Sequence, residues 1–212
     1  MSYGFSSDHT ATSNDFPVAP NIPNCFLETA EYELIKDQYP ALKIVWGTDG
    51  GRRLTQNIFG VDESNSTPFP GMSLEDTLKI KYNRINTVLF KIAQAFGISR
   101  EELQKEMGIT DNFKEFAVKY AKFINEQSAG KLVKLKTMTG SRGYVELAER
   151  GTFIAPNDSD IDLEYSKWER DKNAENEGKK PKKAVQKAAS SGGLMVADEE
   201  IEDESSWFAD ED

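Results

Sequence analysis

Eight residues in the strand-like parts of this 212-residue chain have the types that hold a nucleic-acid strand. Lys43, Arg52, Arg53, Lys134, Lys136 and Arg142 are cations able to neutralise phosphates, and Trp46 and Tyr144 are aromatics on which bases stack. A basic groove with interleaved aromatics binds single strands without reading their sequence. The eight fall in three groups, each beside a glycine-rich turn. Lys43 and Trp46 share one run, Arg52 and Arg53 follow Gly47-Thr48-Asp49-Gly50-Gly51, and the rest flank Gly140-Ser141-Arg142-Gly143. The alternation also sets Trp46 on the face of Leu42 and Ile44, so the ring belongs either to a groove or to the core.

Catalytic chemistry finds no comparable set. The phosphate-cradling G-x-x-x-x-G-K-[ST], G-x-S-x-G, H-E-x-x-H and C-x-x-C patterns are all missing, and His9 is the only histidine. Asp158, Asp160 and Asp162 alternate like part of a calcium loop, without its glycine and terminal glutamate. No catalytic residue, metal ligand or cofactor is expected. Cys25 is the only cysteine, so no internal disulfide forms, and a reducing compartment such as the cytoplasm is the natural setting. The first residues lack the basic start and apolar run of a signal peptide, and no stretch is apolar enough to span a bilayer.

Charge is concentrated at one end. Residues 198–212, DEEIEDESSWFADED, hold nine carboxylates and no base, so they account for −9 of the net −10 and leave residues 1–197 at −1. Like charges repel and keep such a block extended, which suits an interaction tail. Within it, Asp203, Glu204, Trp207, Phe208, Asp210, Glu211 and Asp212 form the expected partner-binding set, an aromatic pair among acids. Residues 167–187 lean basic and read as a linker.

The elements that must position the eight residues follow from periodicity. Alternating runs at 26–34, 41–46 and 54–58 predict a meander of two or three antiparallel strands. Leu78, Tyr82, Ile85, Leu89, Ile92 and Phe96 recur at helical spacing up to a capping Gly97, Ser99 with Glu102 forms a capping box, and Phe113 to Ile124 repeats the helical period. Strand signals return at 131–136 and 144–147. The expected fold is α+β: a small antiparallel β-barrel over 25–165 with a helical insertion at about 75–126. A disordered arm (1–24), a flexible linker (166–197) and the acidic tail (198–212) flank it.

This layout resembles the single-stranded-DNA-binding proteins of tailed bacteriophages. The strand Leu42-Lys-Ile-Val-Trp46, the turn Thr48-Asp-Gly-Gly-Arg-Arg-Leu54, the helix end Phe96-Gly97-Ile98, the segment Gly130-Lys-Leu-Val-Lys-Leu-Lys136 and the acidic aromatic tail carry it. The resemblance implies an OB-fold acting in phage DNA replication, recombination and repair, with single-stranded DNA as ligand and polymerase, helicase or primase docked by the tail. It implies that Lys134, Lys136 and Arg142 touch phosphates, that Trp46 or Tyr144 stacks, and that Trp207 and Phe208 anchor the tail. A homo-oligomer is compatible with it. In this chain the aromatic pair is followed by Ala209-Asp-Glu-Asp212, where such tails tend to end on the aromatic. The competing reading is an anionic protein-interaction or regulatory protein that binds no nucleic acid; residues 25–165 hold 18 Lys and Arg against 21 Asp and Glu.

Overall fold

The computed structural model describes residues 16–61 and 63–179. β1 (Ile22–Ile35) turns into β2 (Tyr39–Thr48) through Lys36 and Asp37, whose φ angles are 52° and 58°. The Gln38 N–H donates to the Ile35 carbonyl at 3.2 Å, closing a type I′ turn whose twist matches that of the strands. β2 turns into β3 (Arg53–Phe59) with Gly51 at φ 72°, a left-handed position that glycine adopts without strain. Three helices follow: α1 (Leu74–Ala95), α2 (Arg100–Met107) and α3 (Phe113–Ser128). The remaining elements are β4 (Val133–Leu135), β5 (Thr137–Thr139), β6 (Val145–Leu147), β7 (Ile154–Pro156) and α4 (Lys167–Asn176).

The strands form a five-stranded antiparallel sheet in the order β3-β2-β1-β4-β7 and a separate β5-β6 ribbon. The class is thus α+β, as the periods imply. The expected closed barrel is not present. β4 runs through Lys136 directly into β5, and β6 comes beside β3, yet no ladder joins β3 to β6 among the described residues. Side chains span that seam instead: the Gln56 amide donates to Glu149 at 2.6 Å.

A bulge between Leu27 and Thr29 leaves Glu28 unmatched against β2. The extra residue shifts the inward face from Cys25 and Leu27 to Ala30 and Tyr32, so strict alternation from Phe26 to Leu34 misassigns half the strand. β1 pairs with β4 only at Ile22 and Cys25. Beyond them α3 covers the edge, where Asn125 accepts from the Ala30 N–H and donates to the Ala30 carbonyl, both at 2.8 Å. An amide side chain thereby takes the place of a strand partner on an edge that would otherwise invite pairing.

The helices begin and end where the residue types require. Ser73, Ser99, Asn112 and Ser166 cap α1 to α4, with full capping boxes at Ser99/Glu102 and Ser166/Glu169. α1 stops at Gly97, φ 78°, with the Ile98 N–H returning to the Ala93 carbonyl. Its second half is buried through Val88, Leu89, Ile92 and Ala93, while Tyr82 lies outside with its hydroxyl on the Val61 carbonyl. The core gathers around Trp46, stacked on Phe96 at 6.3 Å between ring centres, with Tyr120 donating to the Leu89 carbonyl.

Both expected boundaries move outward. Residues 16–24 are part of the packed unit: Phe16 is buried, Thr137 donates to the Pro17 carbonyl, and Asn21 accepts from the Leu163 N–H. Residues 166–176, expected as linker, cap and form α4, which packs on β5. Low apolar content hid it, because its anchor is the charged Glu169, fully buried. The remaining parts of the arm, the linker and the acidic tail lie outside the described residues.

Candidate nucleic-acid interface

Trp46 is not a groove residue. It is wholly buried, and its indole N–H donates to the Gln56 carbonyl oxygen at 3.3 Å. Lys136 is likewise withdrawn from any phosphate. Its ammonium, 1% exposed, meets Glu169 at 2.9 Å and donates to the carbonyls of Arg150 and Glu164. The strand-like alternation of 131–136 puts Lys136 outward with Lys134, but the chain changes sheet at Lys136, so the side chain turns into the seam between β5 and α4.

The other six stay at or near the surface, several with partners. Lys43 lies between Glu33 at 2.7 Å and Glu31 at 3.5 Å, and these carboxylates push its pKa up. Arg53 is paired with Glu28, the bulge residue, its Nε donating at 2.6 Å. Lys134 is half-buried and donates to the Ser159 carbonyl. Arg52 is exposed on the β2–β3 turn, and Arg142 and Tyr144 are exposed on the β5–β6 loop. Cross-strand glutamates, invisible in a local reading of Lys43 and Arg53, thus offset two of the expected contacts.

A different set of cations converges on the β3–β6 seam. A cleft of about 930 Å³ opens there, walled by β3, α1, β6 and the start of α4. Arg84 and Lys91 enter from α1, two turns apart on one face, and Arg150 enters from the segment after β6. The Arg150 guanidinium sits 4.0 Å above the ring of Trp168. The Arg150 backbone N–H is itself held by Glu169 at 3.1 Å, so the buried Lys136–Glu169 pair fixes the platform from below. Burial, and then the charge of Lys136, lower the pKa of Lys91.

The opposite wall is the free edge of β3. Bonds from Thr48 N–H to Arg52 O and from Gly60 N–H to Pro40 O bracket the β2–β3 ladder. Its bonded pairs therefore fall on the even residues of β3, and the peptide groups of Thr55 and Asn57 point away from β2. Two carboxyls complete the cleft. Burial pushes up the pKa of Glu149, with the Gln56 hydrogen bond and then Arg84 and Lys91 opposing it; burial, and then Glu149, push up that of Glu146. The arrangement can bind a chain that is both anionic and planar in its side groups: cations for phosphates, a guanidinium-indole stack for bases, and fixed acceptors for polar edges.

Of the eight expected residues, the structure brings none into this cleft. Arg84, Lys91, Arg150 and Trp168 escaped the sequence reading because they lie on two helices and a loop up to 84 positions apart. A signal did exist in Arg84 and Lys91, spaced seven apart on the polar side of α1. The described residues hold no cluster of acidic, cysteine or histidine side chains able to take a metal ion, and no helix long and apolar enough to cross a membrane. Comparison with protein-family models, curated proteins and solved structures finds no match for this chain.

Proposed function

We propose that this domain binds single-stranded nucleic acid, DNA on the reading the phage resemblance implies, through the β3–β6 cleft. The observation that carries the proposal is the Arg150–Trp168 stack standing beside Arg84 and Lys91 in one cleft. Stacking on such a platform contributes about 1–3 kcal/mol per base, and each neutralised phosphate releases counterions. The topology supports an opened OB barrel. β1 lies between β2 and β4, β4 continues into β5, β5 pairs with β6, and β6 returns beside β3. The ligand would enter at the β3–β6 seam, which no ladder closes among the described residues. On this reading the acidic tail with Trp207 and Phe208 serves replication partners such as polymerase, helicase or primase.

A second reading, a protein-interaction module, is favoured by Tyr39 and Phe59. Both are about half exposed at the same end of the β2–β3 pair, where an apolar partner could cover them. Fluorescence anisotropy with a labelled mixed-sequence 20-mer separates the two. Nucleic-acid binding predicts saturation at low salt, weakening as salt rises, preference over the duplex, and a loss of at least about ten-fold for Arg150→Ala/Trp168→Ala, as expected for one stacked base and one phosphate. No binding by the native chain at low salt overturns the proposal and leaves the interaction module.

A further inference from the structure

The hydrogen bonds that lead from the core to the cleft have a fixed direction. The indole N–H of Trp46 can only donate, so the Gln56 oxygen must accept it, at 3.3 Å. That orients the Gln56 amide, whose NH₂ then donates to Glu149 Oε1 at 2.6 Å. Trp46 is fully buried and Gln56 is 7% exposed, so packing allows neither to reverse the order. Glu149 ends this chain on the cleft wall, next to the residue that lies over Trp168. With Oε1 engaged by a donor from behind, the carboxyl group lines the cleft with acceptor oxygens.

A carboxylate beside a base-stacking platform selects by polarity. It accepts from the exocyclic amine of cytosine, and it repels the carbonyl oxygen that thymine carries at the same position. We propose that Glu149 is a specificity-determining residue that makes the cleft prefer amino-bearing bases, cytosine over thymine, with Gln56 and Trp46 as the positioning residues that set its polarity. The inference rests on the nucleic-acid reading above and deepens it. It departs from a binder indifferent to base, which a groove of cations and aromatics alone would give.

The same chain of bonds predicts what Glu149→Gln does. The substituted amide keeps an oxygen for the Gln56 donor and therefore turns its NH₂ toward the cleft. A donor there favours thymine O4 over the cytosine amine, so the preference should invert rather than merely fade.

The test is anisotropy titration of the full chain with labelled oligo-dC and oligo-dT of equal length at pH 7.5, for the native protein and Glu149→Gln. The expected result is about five-fold tighter binding of oligo-dC by the native chain, the low end for one base-edge contact, and tighter binding of oligo-dT by the variant. An oligonucleotide of 2-pyrimidinone, which is cytosine without its amine, should bind the native chain no better than oligo-dT, and this arm needs no mutant to fold. Equal affinities for dC, dT and pyrimidinone, or a native preference for dT, overturn the inference while leaving single-strand binding intact. Failure of every oligonucleotide to bind removes the binding reading itself.

Discussion

Two groups of basic residues in this protein look alike in composition and differ in what surrounds them. Lys43 and Arg53 lie on strands and Lys136 at the β4–β5 junction, and each meets a glutamate from another element: Glu33 and Glu31, Glu28, and Glu169. Arg84, Lys91 and Arg150 come from helix and loop and share a cleft with an indole and with carboxyls whose charge is disfavoured by burial. Strand cations sit opposite a fixed neighbour every second residue, so a sheet readily neutralises itself. Cations brought together across a seam line one shared cleft instead, where Lys91 also donates to the Gly151 carbonyl at 2.5 Å. A count of lysines and arginines does not distinguish the groups; where the fold places them does.

The contrast is sharpest at Lys136, which is a structural cation. Lys136→Met should destabilise the fold by about 3–5 kcal/mol in urea denaturation, because it leaves Glu169 buried without its partner. A variant of near-native stability would return Lys136 to the candidate ligand contacts. The next effect in size concerns the cleft. Arg84→Ala/Lys91→Ala should lower the slope of log affinity against log salt by about 1.4 for single strands, two phosphate contacts at about 0.7 each. An unchanged slope would place the phosphates elsewhere.

The strand cations provide the counterpart. Lys43→Ala/Arg53→Ala should change affinity for the same oligonucleotide by less than about three-fold, since phosphate neutralisation depends on nearby charge and neither residue lines the cleft. A larger loss than that of the cleft variant would reverse the comparison. The smallest effect is on pH dependence. Burial raises the pKa of Glu149 above its ordinary 4.5, so in acid the native state keeps a proton that the unfolded chain releases. Stability therefore falls as pH rises from 4.5 through the raised value, and that loss is complete above it. Glu149→Gln should be the more stable protein at pH 7.5 and should flatten the change in urea midpoint between pH 4.5 and 7.5; a variant less stable at pH 7.5 with an unaltered profile contradicts this.

The helical part was legible because its signals are local. Ser99 and Glu102 form the capping box that their spacing predicts, and Gly97 ends α1. The β1–β2 turn was harder, since Lys36 and Asp37 adopt positive φ without the usual glycine or asparagine pair. The bulge at Glu28 and the cover of β1 by Asn125 left no pattern to read, because each depends on a partner about 20 or 95 positions away. α4 reads as linker because its attachment is polar rather than an apolar stripe: the buried Lys136–Glu169 pair, with Asn173 and Asn176 bonded to Thr139.

By itself the sequence determined the α+β class, the meander followed by helices, and the segregation of negative charge into the last fifteen residues. These follow from period, caps and composition, which act over a few residues at a time. It left Trp46 between groove and core, and the tertiary structure decided for the core, because the sheet and α1 close over that face. It suggested a barrel, and the structure left a seam where β3 and β6 come together without a ladder among the described residues, Gln56 bonding instead to Glu149 just after β6. Which cations line the cleft and which are held by glutamates on the strands was decided only there, since charge acts through space and not along the chain.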